Sequence, residues 1–399
     1  MFIQINPNEL SQICSIAHQF GLKKVVIYKD IQNAFYGQYM DSIVMEQYLN
    51  EYKDSLKETI DSVLYVMSRE ANFIKDNNLI PEFVFYTDKG RNFFNEIIIP
   101  GWKKNRKKAI LTEKEKNPLM STSRDFMHTM FIKGFNVLKK IFKYLPNVYF
   151  YQLENIDSDY IPYVHKYLFP EALHVIVSTD KDYVHMVSED PYVIRYFFIS
   201  KNRRIETKLN GWKYLFPKEN YNDTQRKILF YNYPVFHGLC GDSSDDMPTI
   251  IKLKGWKKWL KELQSKMDET TLIEFRQFVV DDIPFHDLLR DEIPNDYPIK
   301  FTSLPVKTYW DIYKYRQFVV DFWITTLITL PVHLVRDEDQ EVRNVLFEKV
   351  YFANQILPKV SRCIEDTIKK DEVMNLNEFQ NVLQSLNVNP EIAVNVYSM

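Results

Sequence analysis

Short apolar runs alternate with longer segments of helical spacing over about the first 250 residues. Runs rich in β-branched and aromatic residues predict four strands, at 24–28, 82–86, 148–151 and 174–177. Between them the apolar spacing is closer to 3.6 residues than to 2, and the longest such segment, Met45 to Asn77, predicts a helix. This alternation is typical of the α/β class, with a central, mostly parallel sheet flanked by helices. Beyond about residue 250 the strand pattern ends and the spacing favours helices.

Aspartates stand at the carboxyl ends of these predicted strands. Asp30 follows the first strand, Asp88 the second, and Asp180 and Asp182 the fourth. Open α/β sheets hold their ligands at this edge, so we expect the four side chains to converge there. A single aspartate would be explained as a turn residue or a helix N-cap. Several together raise one another's pKa unless a cation neutralises them.

A cluster from Gly241 to Pro248, Gly-Asp-Ser-Ser-Asp-Asp-Met-Pro, adds Asp242 and Asp245 to this set, while Asp246 is interpreted as a helix-start residue. Carboxylates without cysteine or histidine suit Mg²⁺ or Mn²⁺ rather than Zn²⁺. Two such ions cleave phosphodiesters, because one activates water and the other stabilises the leaving oxygen. The sequence therefore predicts phosphodiester hydrolysis with two Mg²⁺ or Mn²⁺ ions.

Composition limits the other classes of function. The net charge of -2 does not indicate a nucleic-acid binder, so phosphate affinity must come from local basic clusters. Only 9 glycines argue against a glycine-rich nucleotide loop, and the 3 cysteines lack metal-ligand spacing, which fits a reduced cytoplasm. The scattered histidines are interpreted as surface or core residues. The N-terminus lacks a signal-peptide pattern, and the apolar stretch Phe322 to Val335 is too short to span a membrane.

Three ordered motifs together resemble the 5′ nuclease family. They are Thr87-Asp88 followed by the segment from Pro100 to Arg106, then Ser178 to Asp182, then Gly241 to Pro248. The family includes flap endonucleases, the 5′ nuclease domain of bacterial DNA polymerase and the phage 5′ to 3′ exonucleases, among them the phage ribonuclease H, and the order and spacing look most like the phage members. The resemblance covers roughly residues 22 to 260 and implies a PIN-like 5′ nuclease core.

The resemblance also implies roles for individual residues. The metal-site aspartates would be Asp30, Asp88, Asp180, Asp182, Asp242 and Asp245. Lys103 and Arg106 would hold the scissile phosphate as catalytic residues, within a helical arch or bridge at about 100–125. Lys104, Lys107 and Lys108 would bind nucleic acid beside them, although a solvated basic loop would have the same composition.

The region after the third strand departs from the family pattern, which has a Glu-Ala-Asp-Asp string there. An alignment anchored on Tyr144-Leu145-Pro146 places Asp159 on the final aspartate and Ile156 on the glutamate. Shifting it by one places Asp157 on the glutamate and Asp159 on the first aspartate. We prefer the second, because negative charge is favoured near a helix N-terminus. Glu154 is a third candidate.

The region after Pro248 departs as well. Related nucleases grip duplex DNA there with a glycine-rich helix-hairpin-helix, whereas this region of the chain, residues 249–260, has a single glycine, Gly255, which makes the motif degenerate. Side-chain contacts to phosphate would compensate, from Lys252, Lys254, Lys257 and Lys258.

The predicted organisation is a nuclease core at 1–245, a helix-hairpin-helix-like duplex-binding region with helices at 246–340, and a helical extension at 341–399. The extension would dock on the core or on a replication partner. The function implied is a metal-dependent 5′ to 3′ exonuclease or flap endonuclease acting on RNA primers or 5′ flaps in phage DNA replication or repair.

The alternative is an eroded member of the same fold that binds branched or single-stranded DNA without cutting it. A third hypothesis is a phosphatase of the haloacid dehalogenase type. That class needs a nucleophilic aspartate at the end of the first strand and a second carboxylate two residues later. Here Asp30 is followed by Ile31 and Gln32, so this hypothesis is excluded. Expected partners are DNA, RNA-DNA hybrids and replication proteins such as a single-strand binding protein or a clamp, with no membrane. We expect the protein to be a monomer and to act in the cytoplasm. If a phage encodes it, this would be the cytoplasm of the host.

Overall fold

The computed structural model describes residues 4–31, 52–89, 132–154, 158–199, 202–233 and 376–388, apart from positions 133, 217, 232 and 387. Its strands are β1 Lys24–Asp30, β2 Ile80–Lys89, β3 Val148–Glu154, β4 Leu173–Val177, β5 Val193–Ile199 and β6 Asn202–Glu206. They form a six-stranded sheet in the order β3-β2-β1-β4-β5-β6. Strands β1 to β5 are parallel, and β6 runs antiparallel to β5.

Helices flank this sheet. They are α1 Pro7–Gln19, α2 Tyr52–Asp76, α3 Tyr160–Leu168, α4 Val184–Glu189, α5 Trp212–Leu215, α6 Asp223–Tyr231 and α7 Leu376–Ser385. A further helical stretch covers residues 134–142, and a short 3₁₀ turn covers Lys181–Tyr183. The α/β prediction, with a mostly parallel sheet flanked by helices, is confirmed.

The strand ends differ from the sequence prediction. Strand β1 continues to Asp30, because its backbone stays paired with Tyr86 of β2, and β2 continues to Lys89 against Glu154 of β3. Asp30 and Asp88 therefore belong to strands rather than to the turns that follow them. Strands β5 and β6 were not predicted. The region of the degenerate helix-hairpin-helix lies outside the described residues.

The strand order reverses at β1. The chain builds β2 and β3 on one side of β1 and then returns to place β4 on the other side. In open α/β sheets the crevice at such a reversal, beyond the carboxyl ends of the strands, is where ligands bind. In this sheet that position lies between the end of β1, at Asp30, and the segment that follows β4.

One face of the sheet carries the main hydrophobic core. Alternate residues of the strands, such as Ile27, Phe85 and Val175, pack against α1, α2 and residues 134–142. Helix α7 adds Phe379 and Leu383 to the same cluster, so the described C-terminal segment is packed on this face.

The opposite face is polar and aromatic. The hydroxyl of Tyr28 lies 2.9 Å from Nδ1 of His165 in α3 and 2.7 Å from Nδ1 of His174 in β4, and all three side chains are buried. These contacts hold α3 against the sheet. The start of α3 therefore lies beside the carboxyl ends of the strands. In the described ranges no helix has both the length and the apolar character needed to cross a membrane.

Candidate metal centre

Five predicted metal-site aspartates lie at the carboxyl edge of the parallel strands. Asp30 ends β1, and Asp88 is the penultimate residue of β2. Asp159 follows β3 as the N-cap of α3, while Asp180 and Asp182 follow β4, where Asp180 is the N-cap of the 3₁₀ turn. The described part of the chain thus brings aspartates from four successive parallel strands to one edge of the sheet.

Three of these carboxylates lie close enough to the hydroxyl of Tyr86 to affect its pKa. Tyr86 lies on β2, two residues before Asp88 and on the same face. Burial raises the pKa of Tyr86 well above its ordinary value, and the negative charges of Asp159, Asp30 and Asp180 raise it further. These three carboxylates come from different strand ends, so the electrostatic field at the edge is collectively negative.

Hydrogen bonds hold three of the carboxylates in place. The backbone N–H of Ser158 donates to Oδ1 of Asp88 at 2.8 Å. The hydroxyl of Tyr183 donates to Oδ1 of Asp159 at 2.7 Å, and the backbone N–H of Asp182 donates to Oδ1 of Asp180 at 2.9 Å. The first bond ties the end of β2 to the residue before the N-cap of α3, and the second ties that N-cap, Asp159, to the 3₁₀ turn that follows β4.

Arg195 and Tyr163 fix the segment that carries Asp180 and Asp182. Nη1 of Arg195 on β5 donates to the backbone oxygen of Asp180 at 2.6 Å, and its Nε donates to Glu206 of β6 at 2.6 Å. The hydroxyl of Tyr163 on α3 donates to the backbone oxygen of Asp182 at 3.0 Å. The two aspartates therefore lie on a turn bound to the sheet on one side and to α3 on the other.

The side chains at this edge supply the type of ligand atom that a hard divalent cation binds. Asp88 and Asp180 are exposed, and Asp30, Asp159 and Asp182 are half-buried, so carboxylate oxygens dominate this edge. Hard cations such as Mg²⁺ and Mn²⁺ take oxygen ligands of this type. Within the described ranges, however, no three histidine, cysteine, aspartate or glutamate side chains form a group that could hold an ion. A complete site would need ligands from elsewhere in the chain.

Several predicted site residues lie outside the described residues. Of the metal set these are Asp157, Asp242 and Asp245; of the phosphate-binding set they are Lys103, Arg106, Lys104, Lys107, Lys108, Lys252, Lys254, Lys257 and Lys258. Asp159 is described, and both alignments of the region after β3 make it a metal-site residue. Its contact with Tyr183 and its effect on Tyr86 place its carboxylate at the acidic edge.

Five residues that support the aspartates were not predicted from the sequence: Tyr86, Ser158, Tyr163, Tyr183 and Arg195. The sequence positions of two of them, Tyr86 and Tyr183, could have indicated this role. Tyr86 shares a strand face with Asp88, and Tyr183 directly follows the Asp-Lys-Asp string of residues 180–182. An aromatic residue that also carries a hydroxyl, next to clustered carboxylates, is a candidate hydrogen-bond donor to them. No comparable signal marks Ser158, which acts through its backbone.

Comparison with known proteins gives distant similarities. No protein-family model matches the chain, and no curated protein matches it. Among solved structures, a variant of the bacteriophage T5 flap endonuclease, in a pseudo-enzyme-product complex with DNA and metal ions, is 14% identical with a TM-score of 0.47, covering 82% of this chain and 100% of that chain. The bacteriophage T5 5′-exonuclease with bound zinc ions is 13% identical with a TM-score of 0.44, covering 87% of this chain and 100% of that one.

Proposed function

We propose that the protein is a metal-dependent 5′ nuclease that hydrolyses phosphodiester bonds at the 5′ ends of RNA primers or flaps on duplex DNA. The observation that carries this proposal is the meeting of aspartates from four successive parallel strands beside the reversal of strand order. A crevice at this position is the usual ligand site of the fold class. The motifs around Asp88, Asp180 and Asp242, which resemble those of 5′ nucleases, point to the same chemistry.

The acidic edge would bind Mg²⁺ or Mn²⁺ through Asp30, Asp88, Asp159, Asp180 and Asp182, with Asp157, Asp242 and Asp245 contributed from outside the described residues. Bound ions of this kind activate water and stabilise the leaving oxygen of a phosphodiester. The side chains of this chain would orient the ions and keep the edge negative. Lys103 and Arg106 would contact the scissile phosphate.

The remaining basic residues would attract the nucleic-acid backbone in a salt-dependent way. In this proposal Lys104, Lys107 and Lys108 lie beside the cleaved strand, and Lys252, Lys254, Lys257 and Lys258 contact duplex phosphates. Residues 246–340 would form the duplex-binding region. The protein would act as a monomer on DNA or RNA-DNA hybrids in the cytoplasm, beside replication proteins.

The test is cleavage of a 5′-labelled flap and of an RNA-primed duplex by the full-length chain. We expect product with Mg²⁺ and none with a chelator. Asp180→Asn and Asp242→Asn should each lower the rate of cleavage by at least about 100-fold. Loss of a residue that only hydrogen-bonds to a metal ligand, an outer-shell partner, already lowers metal affinity or activity about 10- to 100-fold, and these two aspartates would bind the metal directly. Asp223→Asn is the control, since Asp223 lies at the exposed start of α6 and pairs with Arg226.

Two outcomes would contradict the proposal in different ways. If the wild type binds the forked substrate and yields no metal-dependent product, the chain is a binding protein of this fold. If product forms and Asp180→Asn cleaves like Asp223→Asn, the protein is a nuclease whose active site lies elsewhere.

A further inference from the structure

Two buried tyrosines lie beneath the acidic edge. Tyr86 on β2 is fully buried, Tyr183 at the end of the 3₁₀ turn is 1% exposed, and their hydroxyl oxygens are 2.9 Å apart. The Tyr183 hydroxyl is also 2.7 Å from Oδ1 of Asp159. An ionised carboxylate can only accept, so the single proton of Tyr183 goes to Asp159 and its oxygen accepts from Tyr86. The hydrogen bonds therefore run in one direction, from Tyr86 through Tyr183 to Asp159.

The ring of Tyr183 is held in place by its neighbours. It stacks on Tyr163 of α3 with ring centroids 6.2 Å apart and an interplanar angle of 24°. Tyr163 in turn donates its hydroxyl hydrogen bond to the backbone of Asp182. The hydroxyl of Tyr183 is therefore held in one position, and it donates to the Asp159 carboxylate from a constant direction.

Asp159 itself gives independent support. It occupies the N-cap position of α3, where an aspartate side chain ordinarily accepts from the free N–H groups of the first turn. Here its side chain makes no such capping bond. The carboxylate is instead directed to Tyr183. The usual stabilising role of an N-cap aspartate is thus given up at this position in favour of a fixed carboxylate at the acidic edge.

We propose that Tyr183 is a positioning residue for the metal centre, and that Tyr86 supports it. The inference rests on the proposed function, because it assigns Asp159 to the metal set. Hydrogen bonds from such outer-shell partners orient ligating carboxylates and typically change metal affinity about 10- to 100-fold. Tyr183 acts on bound metal only through Asp159 and does not touch the substrate.

The test is Mn²⁺ affinity of the full-length chain, followed by the electron paramagnetic resonance signal of free Mn²⁺ during titration. Tyr183→Phe keeps the ring and removes the donor, so we expect its dissociation constant to rise about tenfold. Tyr86→Phe should cause a smaller rise, because it removes only the partner of Tyr183. Tyr196→Phe is the matched control: Tyr196 is a buried tyrosine of β5 on the opposite face, bonded to the backbone of Gln4 at 3.4 Å.

Flap cleavage measured against Mn²⁺ concentration separates positioning from structural damage. Tyr183→Phe should need more Mn²⁺ for half-maximal rate and should approach the wild-type rate at saturation, while thermal unfolding shows that the fold is kept. If Tyr183→Phe binds Mn²⁺ like the wild type, or if Tyr196→Phe loses affinity equally, the inference is wrong and the nuclease proposal stands. If the wild type neither binds Mn²⁺ nor cleaves, the proposed function fails and the inference fails with it.

Discussion

The residue that precedes Asp30 is a buried lysine. Nζ of Lys29 lies 2.7 Å from Oε2 of Glu70 on α2, and the two side chains are 2% and 0% exposed. Oε1 of Glu70 also accepts from the backbone N–H of Ile5 at 2.8 Å. Burial lowers the pKa of Lys29 and raises that of Glu70, and each charge opposes the shift of the other. The pair ties the end of β1, and so Asp30, to α2 and to the N-terminal segment.

Removing one member of this pair should destabilise the fold. Glu70→Gln keeps the shape and leaves the Lys29 charge buried without its counter-ion, so we expect the free energy of unfolding to fall by about 3–5 kcal/mol in urea denaturation. Lys166→Ala is the control, since its pair with Asp190 is partly exposed and should contribute less than about 1 kcal/mol.

The double variant Lys29→Met/Glu70→Leu should recover much of the loss, because it buries no charge. A Glu70→Gln change that alters the unfolding free energy no more than Lys166→Ala would show that the pair does not anchor β1.

The sequence could predict the aspartates and could not predict their supports. Asp30, Asp88, Asp180 and Asp182 follow apolar runs, which makes their common edge readable from the pattern. The partner of Lys29 is 41 residues away on another element, and nothing local indicates Glu70. The Tyr183 bond to Asp159 has the same character, because it joins two turns that only the sheet brings together.

At the scale of elements, the docking of α3 depends on two neutral histidines. Burial, then His174 and Lys24, lower the pKa of His165 well below its ordinary value. Burial, then Lys166, lower the pKa of His174 to about 3; the hydrogen bond with the Phe169 backbone opposes this shift, and Lys24 adds a further, smaller lowering. Both rings share the Tyr28 hydroxyl, and His165 also lies 3.5 Å from Glu82.

Stability should therefore fall in mild acid. In the unfolded chain both histidines take up protons as the pH drops through about 6.5, while in the folded chain His174 does so only near pH 3. Between these values the unfolded state binds more protons, so the unfolding free energy decreases as the pH falls, by up to about 1.4 kcal/mol per pH unit for each histidine.

Urea denaturation at pH 7.5, 6 and 5 measures this slope. Carboxylates contribute to it as well, so the difference between variants is what decides. His174→Asn should lower the slope relative to the wild type, because it removes the buried neutral imidazole. Equal slopes in the wild type and in His174→Asn would contradict the assignment of a buried neutral His174.

The strands themselves were predictable to different degrees. Strands β1 to β4 carry uninterrupted apolar runs, which a pattern detects. Strand β5, Val-Ile-Arg-Tyr-Phe-Phe-Ile, has the same composition except for Arg195, which is buried because Glu206 of β6 pairs with it at 2.6 Å. Strand β6, Asn-Arg-Arg-Ile-Glu, is a polar antiparallel edge with a single apolar residue, so no hydrophobic pattern marks it.

At the scale of the whole molecule, the far end of the chain returns to the sheet. Phe379 and Leu383 of α7 are buried in the same cluster as Ile27 and Phe85, on the face opposite the tyrosine and histidine layer. The sequence left open whether this extension docks on the core or on another protein. The amphipathic spacing of this segment fits both alternatives. The choice depends on where the sheet presents its apolar surface, and the sequence does not show that position.

We propose above all that the carboxyl edge of the sheet, at the reversal of strand order, holds divalent metal. Its ligands come from segments far apart in sequence, from Asp30 to Asp245 in the proposed set, so the whole chain is needed to test it. A method that reports every segment near the ion is the most direct.

That measurement is metal-directed cleavage of the protein itself. Fe²⁺ replaces Mg²⁺ in the full-length chain, ascorbate and peroxide generate radicals at the bound ion, and mass spectrometry locates the cut peptide bonds. We expect cuts close to Asp30, Asp88, Asp159 and Asp180, together with cuts near Asp242, all suppressed by excess Mg²⁺. Cuts confined to other segments, or cuts at these aspartates that Mg²⁺ does not suppress, would contradict a metal centre at this edge.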